Sequence, residues 1–245
     1  MKQIVLVLTT LNEIDGVRSI IPLIDRGLFR KIIVLDGNSS DGTVEFCRGE
    51  NLEVLIQSKA GFRNGMYEMI DHLSEFDLDY IITFSPDGNC DPGTLKSFVG
   101  ECDGVSDLVI GSRYKDGAKS LDDDIITAFG NFFFTRLTNL LFKSKFTDVF
   151  SIYRAFKPNL IEALYLRDER SFLPMERFFR TKIGWEPLMS FRAARMKCVI
   201  NEVAVGEPPR IGGKRKLQII RWGGAFLIQL IREVWYRPEQ RTVIK

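Results

Sequence analysis

Short runs of β-branched residues and leucine alternate with segments of helical periodicity, and this alternation limits the possible folds of the chain more than any other feature. Residues 4–8 and 31–35 are two such runs. Between them, apolar residues recur at close to helical spacing, at Ile14, Val17, Ile20, Ile21 and Ile24. The pattern predicts a β-α-β unit.

The alternation continues beyond this unit, with strands predicted at residues 53–57, 80–84 and 108–110 and a helix at residues 63–73. We therefore expect an α/β fold with a mostly parallel, open and twisted sheet, right-handed crossovers and flanking helices. A chain of 245 residues, 45% of them hydrophobic, is large enough to bury such a core.

The overall charge argues against a protein whose main partner is nucleic acid. The chain has 34 Lys and Arg against 32 Asp and Glu, a formal net charge of +2. Its four cysteines are far apart and His72 is its one histidine, so we expect no structural zinc and a reducing cytoplasm. Residues 4–8 are too short for a signal sequence, and the lack of an unbroken apolar stretch of about 18 residues predicts no transmembrane helix.

The C-terminal half has a different character. Residues 125–142 are rich in Phe and Leu, a helix is expected near residues 174–182, and a strand near residues 197–203. The closing segment, residues 214–236, is basic and apolar together. We expect one domain at residues 1–213 and a basic amphipathic extension at residues 214–245.

Polar loops follow four of the predicted strands, at residues 9–13, 36–43, 85–89 and 111–113. Ligands of open α/β sheets bind beyond the carboxyl ends of the strands, where these loops lie. No dinucleotide-binding G-x-G-x-x-G follows the first strand and the sequence has no P-loop. The loops would instead line a cleft with acids and amides, suited to a nucleobase, a ribose and a metal-bound diphosphate.

Asp87 and Asn89 are the candidate metal ligands. They alternate across a Pro-Asp-Gly turn at a strand end, which can aim two oxygen-bearing side chains at a hard cation such as Mg²⁺ or Mn²⁺. The alternative is an ordinary turn, which each of these residue types favours. In the second loop, Ser40 or Asp41 could likewise serve as a helix cap alone.

The loops resemble, in order, the motifs of the family 2 glycosyltransferases of GT-A fold, and the whole chain is similar to the dolichyl-phosphate mannosyltransferase branch. The family's N-E pair, V-D-x-x-S-x-D-G-T loop and D-x-D-type loop correspond to residues 12–13, 35–43 and 85–89. Its G-S-R, D-x-x-S-G-F-R and R-x-x-G-x-S-K-L motifs correspond to residues 111–113, 148–154 and 210–217. Each motif is weak by itself, but the ordered set spans residues 9–217.

Four positions depart from the family pattern. Ser85 replaces the first aspartate of the D-x-D, Thr9 replaces a proline, and Arg215 replaces the serine of the last motif. Asp123 stands where relatives that use a polyprenyl phosphate have an arginine for the acceptor phosphate. This reversal of charge weakens the acceptor assignment more than the donor assignment.

The resemblance implies a nucleotide-sugar donor, linked to UDP or GDP, and inversion of the anomeric centre by direct displacement. The metal at Asp87 and Asn89 would hold the diphosphate, and nearby cations would stabilise it as it leaves. The donor-binding residues that the resemblance implies are Thr10, Leu11, Glu13, Asp36, Lys59, Arg63 and Asp87.

The resemblance leaves two acceptors open. A polyprenyl phosphate is an anion that attacks without a base. Arg113, Arg210 and Lys216 would position it, with Thr127 as a hydrogen-bond donor. These three cations and Asp87 are the catalytic residues that the resemblance implies. A hydroxyl of a polysaccharide or lipid-linked glycan needs a general base, for which Asp148 and Glu176 are the candidates. Both carboxylates have ordinary alternatives, as a turn cap and as a helix-surface ion pair. A scaffold subunit that binds donor without turnover is a third hypothesis, suggested by Ser85.

The C-terminal extension favours a membrane acceptor. Projected as a helix over residues 217–236, it places polar residues on one side and apolar residues on the other. Residues 210–245 contain nine Lys or Arg against two Asp or Glu, which would attract an anionic leaflet. We expect a cytoplasmic protein peripheral at the inner face of the membrane. The alternative is that this helix packs on the domain, on a second subunit or on a membrane-protein partner.

Overall fold

Seven strands form one sheet in the computed structural model, which describes residues 2–212 and 218–236. The strands are β1 (Ile4–Thr10), β2 (Lys31–Asp36), β3 (Glu53–Ile56), β4 (Tyr80–Phe84), β5 (Leu108–Ser112), β6 (Arg154–Phe156) and β7 (Ile200–Ala204). Their spatial order is β3-β2-β1-β4-β6-β5-β7, and β6 runs antiparallel to its neighbours β4 and β5. The sheet is therefore mixed but mostly parallel, which confirms the predicted fold class.

Helices cover both faces of the sheet. They are α1 (Ile14–Ile20), α2 (Thr43–Gly49), α3 (Phe62–Leu73), α4 (Leu95–Glu101), α5 (Ile125–Phe142), α6 (Leu160–Ala163), α7 (Leu173–Phe179), α8 (Glu186–Arg195) and α9 (Ile219–Glu233). The core on one face contains residues of α1, α2 and α4, and the core on the other contains residues of α3 and α5 to α9.

Strand β1 shows why the apolar runs are continuous. All seven of its residues are buried. Ile4, Leu6 and Leu8 pack into one core, whereas Val5 and Val7 pack into the other. Because successive side chains of a strand point to opposite faces, a strand covered on both faces needs apolar residues at every position.

Helix α9 packs on the domain through a mixed face, with Ala225, Phe226 and Leu230 in the core beside two buried polar residues. Gln229 and Glu233 are buried, and Glu233 forms an ion pair of 2.8 Å with the buried guanidinium of Arg192 on α8. The Gln229 side-chain amide donates to the carbonyl of Ser171 at 2.8 Å. The predicted amphipathic helix is present, and its exposed side is apolar. The predicted domain boundary between residues 213 and 214 lies outside the described residues.

Helix α5 is long and apolar enough to cross a membrane by length and composition, alone among the helices within residues 2–212 and 218–236. Core helices of soluble proteins pass the same test, and α5 buries Phe134, Thr138 and Phe142 against the domain. The sequence prediction was that no segment of this length and hydropathy is present, and the 18 residues of α5 are such a segment.

The topology brings the polar loops together. Strands β1 and β2 are parallel in register from Val5 with Lys31 to Thr10 with Asp36, and β1 is also parallel to β4. The loops after β1, β2, β4 and β5 therefore lie along the same edge of the sheet.

Candidate active site

A cavity of about 1350 Å³ opens at the carboxyl ends of the strands. Most of the residues predicted for the site line it: Thr10, Leu11, Glu13, Arg63, Asp87, Asn89, Arg113, Thr127, Glu176 and Arg210. Asp36, Lys59 and Asp148 are absent from its lining, and Lys216 lies outside the described residues.

Asp36 lies just beneath the cavity wall and organises the loop that follows β2. It is fully buried, and its Oδ1 accepts hydrogen bonds from the backbone N–H groups of Asn38 and Ser39 at 2.9 and 2.7 Å. Its Oδ2 accepts from the hydroxyls of Thr10 and Ser39 at 2.7 and 2.6 Å. Because four internal hydrogen bonds occupy its carboxylate, Asp36 holds the adjacent part of the cavity wall in place without lining the cavity itself.

The loops after β1 and β2 are joined directly. The Asn12 N–H donates to the Ser39 hydroxyl at 2.8 Å, and the Ser40 N–H donates to Asn12 Oδ1 at 2.9 Å. Asp41 accepts from the backbone N–H groups of Ile14 and Thr43 at 3.0 Å. Burial would raise the pKa of Asp41, but these bonds and the Thr43 hydroxyl hold it below its ordinary value. Asp41 thus ties two helix starts together.

Asp87 and Asn89 occupy the turn after β4 as predicted. The Asn89 N–H donates to Asp87 Oδ1 at 3.0 Å, and Gly88 between them has a φ of +96°, in the region that favours glycine. The turn thus aims both side chains into the cavity. An added Cβ at Gly88 would meet Ile211 Cγ1 at 2.6 Å, so the segment after β7 lies directly on this turn.

Arg210 reaches the same turn from that segment. Its Nη2 lies 2.8 Å from Asp87 Oδ2, and its Nη1 lies 3.5 Å from Glu13 Oε1. The adjacent N–H of Ile211 donates to the Asp87 carbonyl at 2.9 Å. A guanidinium therefore lies against the carboxylate that the sequence assigns to the metal.

The donor set at this turn fits a hard divalent cation. Asn89 Oδ1 is buried and accepts no hydrogen bond from the described residues, so one amide acceptor is available beside the Asp87 carboxylate. Oxygen atoms of this kind are the preferred ligands of Mg²⁺ and Mn²⁺. No group of three or more His, Cys, Asp or Glu in the described part of the chain could hold a metal by itself. A cation at Asp87 and Asn89 would thus leave coordination positions for substrate phosphates.

Arg113 is held by Asp148 and is not a bare cation. Its Nε lies 2.6 Å from Asp148 Oδ2 and its Nη2 lies 3.1 Å from Oδ1, a bidentate pair. Burial would raise the pKa of Asp148, but the charge and hydrogen bonds of Arg113 hold it below its ordinary value. The assignment of Asp148 as a general base is corrected, because this carboxylate is fully buried and engaged at both oxygens.

Further carboxylates surround Arg113, and sequence analysis missed one of them. Its Nη1 lies 3.5 Å from both Asp123 Oδ2 and Glu207 Oε2. Asp123 also accepts from the Tyr114 hydroxyl, and Glu207 from the Ser120 hydroxyl. Burial raises the pKa of Glu207 above its ordinary value in spite of Arg113. The replacement of the expected arginine by Asp123 is thus built into a network that neutralises Arg113.

Arg63 and Glu176 form a buried pair on the opposite wall. Arg63 Nη1 lies 2.9 Å from Glu176 Oε1, and its guanidinium stacks on the Phe172 ring at 3.9 Å. Burial would raise the pKa of Glu176, but the N–H of Ile183 and the Arg63 guanidinium hold it below its ordinary value. A paired, ionised and buried Glu176 anchors this wall, which argues against its assignment as a base.

Lys59 and Thr127 have simpler roles. Lys59 is exposed and does not line the cavity itself, but Gln57 and Ala60 on either side of it do, so its assignment to the donor phosphates stays a prediction. The Thr127 N–H donates to Asp124 Oδ1 at 2.8 Å, so Asp124 caps the start of α5. Asp124, the last of the three consecutive aspartates at residues 122–124, therefore acts as a helix cap.

Two exposed arginines at the end of α7 also line the cavity, and sequence analysis considered them only as partners of Glu176. These are Arg177 and Arg180. Their placement depends on how residues 173–184 fold back against α9, which the local sequence pattern does not reveal.

A sheet of this order, with acidic and amide loops at the carboxyl ends of its parallel strands and a cavity above them, is the arrangement of a GT-A glycosyltransferase. The model described as glycosyl transferase family 2 matches residues 6–164, and the chain belongs to this family of enzymes. The match names the family and not a branch, so the resemblance to dolichyl-phosphate mannosyltransferases stays a prediction.

Known relatives cover most of the chain. Glycosyltransferase AglJ of Haloferax volcanii is 27% identical over 228 residues, which are 91% of this chain and 69% of the relative. An uncharacterised glycosyltransferase of Mycobacterium tuberculosis is 23% identical over 215 residues, 87% of this chain and 89% of that protein.

Solved structures of glucosyl-3-phosphoglycerate synthase from Mycobacterium tuberculosis share the fold. One complex with Mn²⁺, UDP and glucosyl-3-phosphoglycerate has a TM-score of 0.60 at 22% identity and covers 97% of this chain and 82% of that chain. Another, with Mn²⁺ and UDP-glucose, has a TM-score of 0.59 at 20% identity and covers 98% and 81%.

Proposed function

We propose that this enzyme transfers a sugar from a UDP- or GDP-linked donor to a polyprenyl phosphate, with inversion and with Mg²⁺ or Mn²⁺, at the cytoplasmic face of a membrane. One observation carries the proposal. The cavity that contains the Asp87 turn is flanked by α5 and α9, whose outward faces are apolar and exposed. A lipid acceptor needs a cavity for its reacting phosphate directly beside an exposed apolar surface.

The donor end of the cavity lies over β1, β2 and β4. Thr10, Leu11 and Glu13 present a wall for the base and ribose, braced from behind by Asp36. A divalent cation bound at Asp87 and Asn89 would neutralise the diphosphate as it becomes the leaving group. The complexes of glucosyl-3-phosphoglycerate synthase with Mn²⁺ and UDP-glucose support this choice of metal and donor class.

The acceptor end lies between α5 and α9. Ile126, Phe129 and Phe134 of α5 and Trp222 and Phe226 of α9 line the cavity there. These side chains offer an apolar path for the isoprenoid next to its phosphate. Because a phosphate is already ionised, this acceptor needs no general base. This agrees with the pairing of Asp148 with Arg113 and of Glu176 with Arg63.

The outer surface supports binding at a membrane. Ile125, Phe129 and Phe132 of α5, Ile220 of α9 and Trp235 just after it are all more than half exposed. Exposed apolar patches on a protein surface mark interaction sites, a membrane among them. With the basic composition of residues 210–245, these exposed residues fit an amphipathic surface at an anionic leaflet better than a second subunit or a protein partner.

A hydroxyl acceptor of a growing glycan is the second candidate, and Glu207 favours it. This carboxylate lines the cavity, and burial raises its pKa above the ordinary value, toward the range of a general base. Membership of a family of enzymes argues against the alternative of a scaffold subunit without turnover.

Extraction of labelled product distinguishes the acceptors. The enzyme is incubated with Mn²⁺, a radiolabelled UDP- or GDP-sugar and a membrane extract containing polyprenyl phosphates. We expect label in the organic phase that mild acid releases, and loss of this product in Asp87→Ala protein that remains folded. Label that stays in acid-stable glycan would favour the hydroxyl acceptor and overturn the proposal.

A further inference from the structure

The cavity has an acidic end and a basic end. At the donor end, Glu13, Asp87 and Glu207 line the wall, and the arginines there, Arg113 and Arg210, are paired with carboxylates. At the opposite end, Arg177, Arg180 and Lys182 line the wall around the C-terminus of α7. Lys182 is paired with Glu176 at 3.1 Å, so the uncompensated positive charge at the α7 end comes from Arg177 and Arg180. An anionic acceptor is therefore attracted to the α7 end more than to the other end, where the arginines are already paired with carboxylates.

Arg177 and Arg180 differ from the other arginines of this cavity. Within the described part of the chain, neither forms an ion pair or a hydrogen bond through its side chain. By contrast, Arg63 is paired with Glu176 and Arg113 with Asp148. Two exposed guanidiniums thus present their N–H donors to the cavity.

The turn that carries these arginines is braced from two sides. The backbone N–H groups of Arg180 and Thr181 donate to the Glu176 carbonyl, and the Ile183 N–H donates to Glu176 Oε1 at 3.0 Å. On the other side, the Trp222 indole N–H donates to the Thr181 hydroxyl at 2.9 Å. Arg180 itself ends α7 in the left-handed region, with a φ of +49°. The backbone of the turn is therefore fixed before any ligand binds.

Apolar side chains flank the two arginines. Phe178 lies between them in sequence and is 76% exposed, and Ile219 and Trp222 of α9 line the cavity beside them. This combination fits a phosphate monoester joined to an apolar chain. Guanidinium groups bind phosphate through charge-assisted hydrogen bonds, often two at a time.

We propose that Arg177 and Arg180 at the end of α7 bind the phosphate of the polyprenyl acceptor, in the role that the resemblance implied for Arg113, Arg210 and Lys216. The assignment rests on the proposed function, because it specifies the acceptor subsite of the same cavity. It also explains how a chain with Asp123 at the expected arginine position accommodates an acceptor phosphate.

The test compares Arg177→Gln/Arg180→Gln with the matched pair Arg18→Gln/Arg48→Gln, which removes two exposed arginines of α1 and α2. Sugar transfer to a short polyprenyl phosphate is measured in neutral detergent, without anionic lipid. For the α7 pair we expect KM for the polyprenyl phosphate to rise about tenfold or more with kcat little changed, since binding is lost in ground and transition states alike. Arg177→Lys/Arg180→Lys should recover part of this loss.

A direct binding measurement separates the two proposals. Quenching of tryptophan fluorescence by farnesyl phosphate reports binding beside Trp222, and UDP or GDP with Mn²⁺ reports the donor site. If farnesyl phosphate binds the native chain and the Arg177→Gln/Arg180→Gln variant equally well, this assignment alone is overturned. No binding of farnesyl phosphate with intact nucleotide binding would overturn both this assignment and the polyprenyl acceptor. Weaker binding to phosphatidylglycerol vesicles with an unchanged KM would assign the arginines to lipid headgroups instead, and overturn the assignment as well.

Discussion

At the scale of single residues, the ion pair of Arg210 with Asp87 is the most informative contact in the site. A buried carboxylate such as Asp87 is costly without a partner, and the guanidinium 2.8 Å away supplies one. A divalent cation bound at Asp87 would therefore compete with Arg210 for the same oxygen.

This competition gives a prediction for metal binding. Replacement of Arg210 by Gln removes the competing charge, so we expect Mn²⁺ to bind the nucleotide-free protein about tenfold more tightly, given the ~1.5–3 kcal/mol of a hydrogen bond to a charged group. Mn²⁺ titration followed by electron paramagnetic resonance measures this without turnover. Arg210→Lys, which keeps the charge, is the control, and an unchanged or weaker affinity of Arg210→Gln would contradict the prediction.

Asp148 gives a second prediction at this scale. Asp148→Asn removes the fully buried member of the bidentate pair and leaves the partly buried Arg113 without it, so the free energy of unfolding at pH 7 should fall by about 3 kcal/mol. Because the folded-state pKa of Asp148 is lowered, the carboxylate stabilises the fold above its unfolded pKa, and this contribution is lost as the pH falls through the folded value. The difference between native and variant protein should therefore shrink below about pH 4. Urea unfolding at a series of pH values checks this, and a difference independent of pH would disagree.

The sequence predicted part of the site and missed the rest for a physical reason. Asp36, Asp87 and Asn89 could be found because parallel strands place the residues that follow them at one edge. The pairings of Arg113 with Asp148 and of Arg210 with Asp87 join residues 35 and 123 positions apart. Contacts at this separation depend on tertiary packing, which local spacing does not encode.

At the scale of secondary-structure elements, α9 is unusual because Gln229 and Glu233 are buried among its inward-facing apolar residues. Glu233 binds Arg192 and Gln229 binds Ser171, whereas Ile220 and Trp235 are 88% and 74% exposed. The sequence correctly indicated two faces but not which of them meets the domain. A helix docked through a face that includes buried polar groups leaves its other apolar residues available for a lipid surface.

Two adjacent glycines test how α9 docks. An added Cβ at Gly224 would meet the Phe179 ring of α7 at 2.4 Å, whereas one at Gly223 meets nothing within 4 Å. Gly224→Ala should therefore lower the free energy of unfolding by about 1 kcal/mol or more through overpacking. Gly223→Ala should raise it by roughly 0.5–1 kcal/mol, because alanine favours a helix. Thermal or chemical unfolding compares the pair, and equal effects would contradict this packing.

Elements with a clear apolar pattern could be predicted, the partly exposed β3 included. Strands β1 to β5 and helix α3 lie within two residues of their predicted bounds. Strand β6 was missed because it has three residues and begins with Arg154, which is fully buried with its guanidinium on the carbonyls of Ser151 and Glu186. Helix α8 was missed because it buries Glu186 and Arg192, which a surface pattern would place outside.

At the scale of the whole molecule, the cavity and the apolar surface lie on the same side. We expect the protein to float with vesicles that contain phosphatidylglycerol. Ile220→Glu/Trp235→Glu should weaken this binding about tenfold or more, since it removes apolar area and adds like charge to the leaflet. Leu23→Glu/Val105→Glu, at two positions that are each 65% exposed away from the cavity lining, is the matched control. Equal loss in both pairs, or no binding by the native chain, would contradict a specific membrane face.

We propose that the loops after β1, β2 and β4 form one metal-dependent site for a nucleoside diphosphate. This is tested by the thermal unfolding temperature with UDP or GDP, with and without Mn²⁺, for the native chain and Asp87→Asn. We expect one of the two nucleotides to raise this temperature only together with Mn²⁺, and Asp87→Asn to abolish the rise. A native chain that neither nucleotide stabilises, or an Asp87→Asn protein that is stabilised as strongly as the native chain, would contradict it.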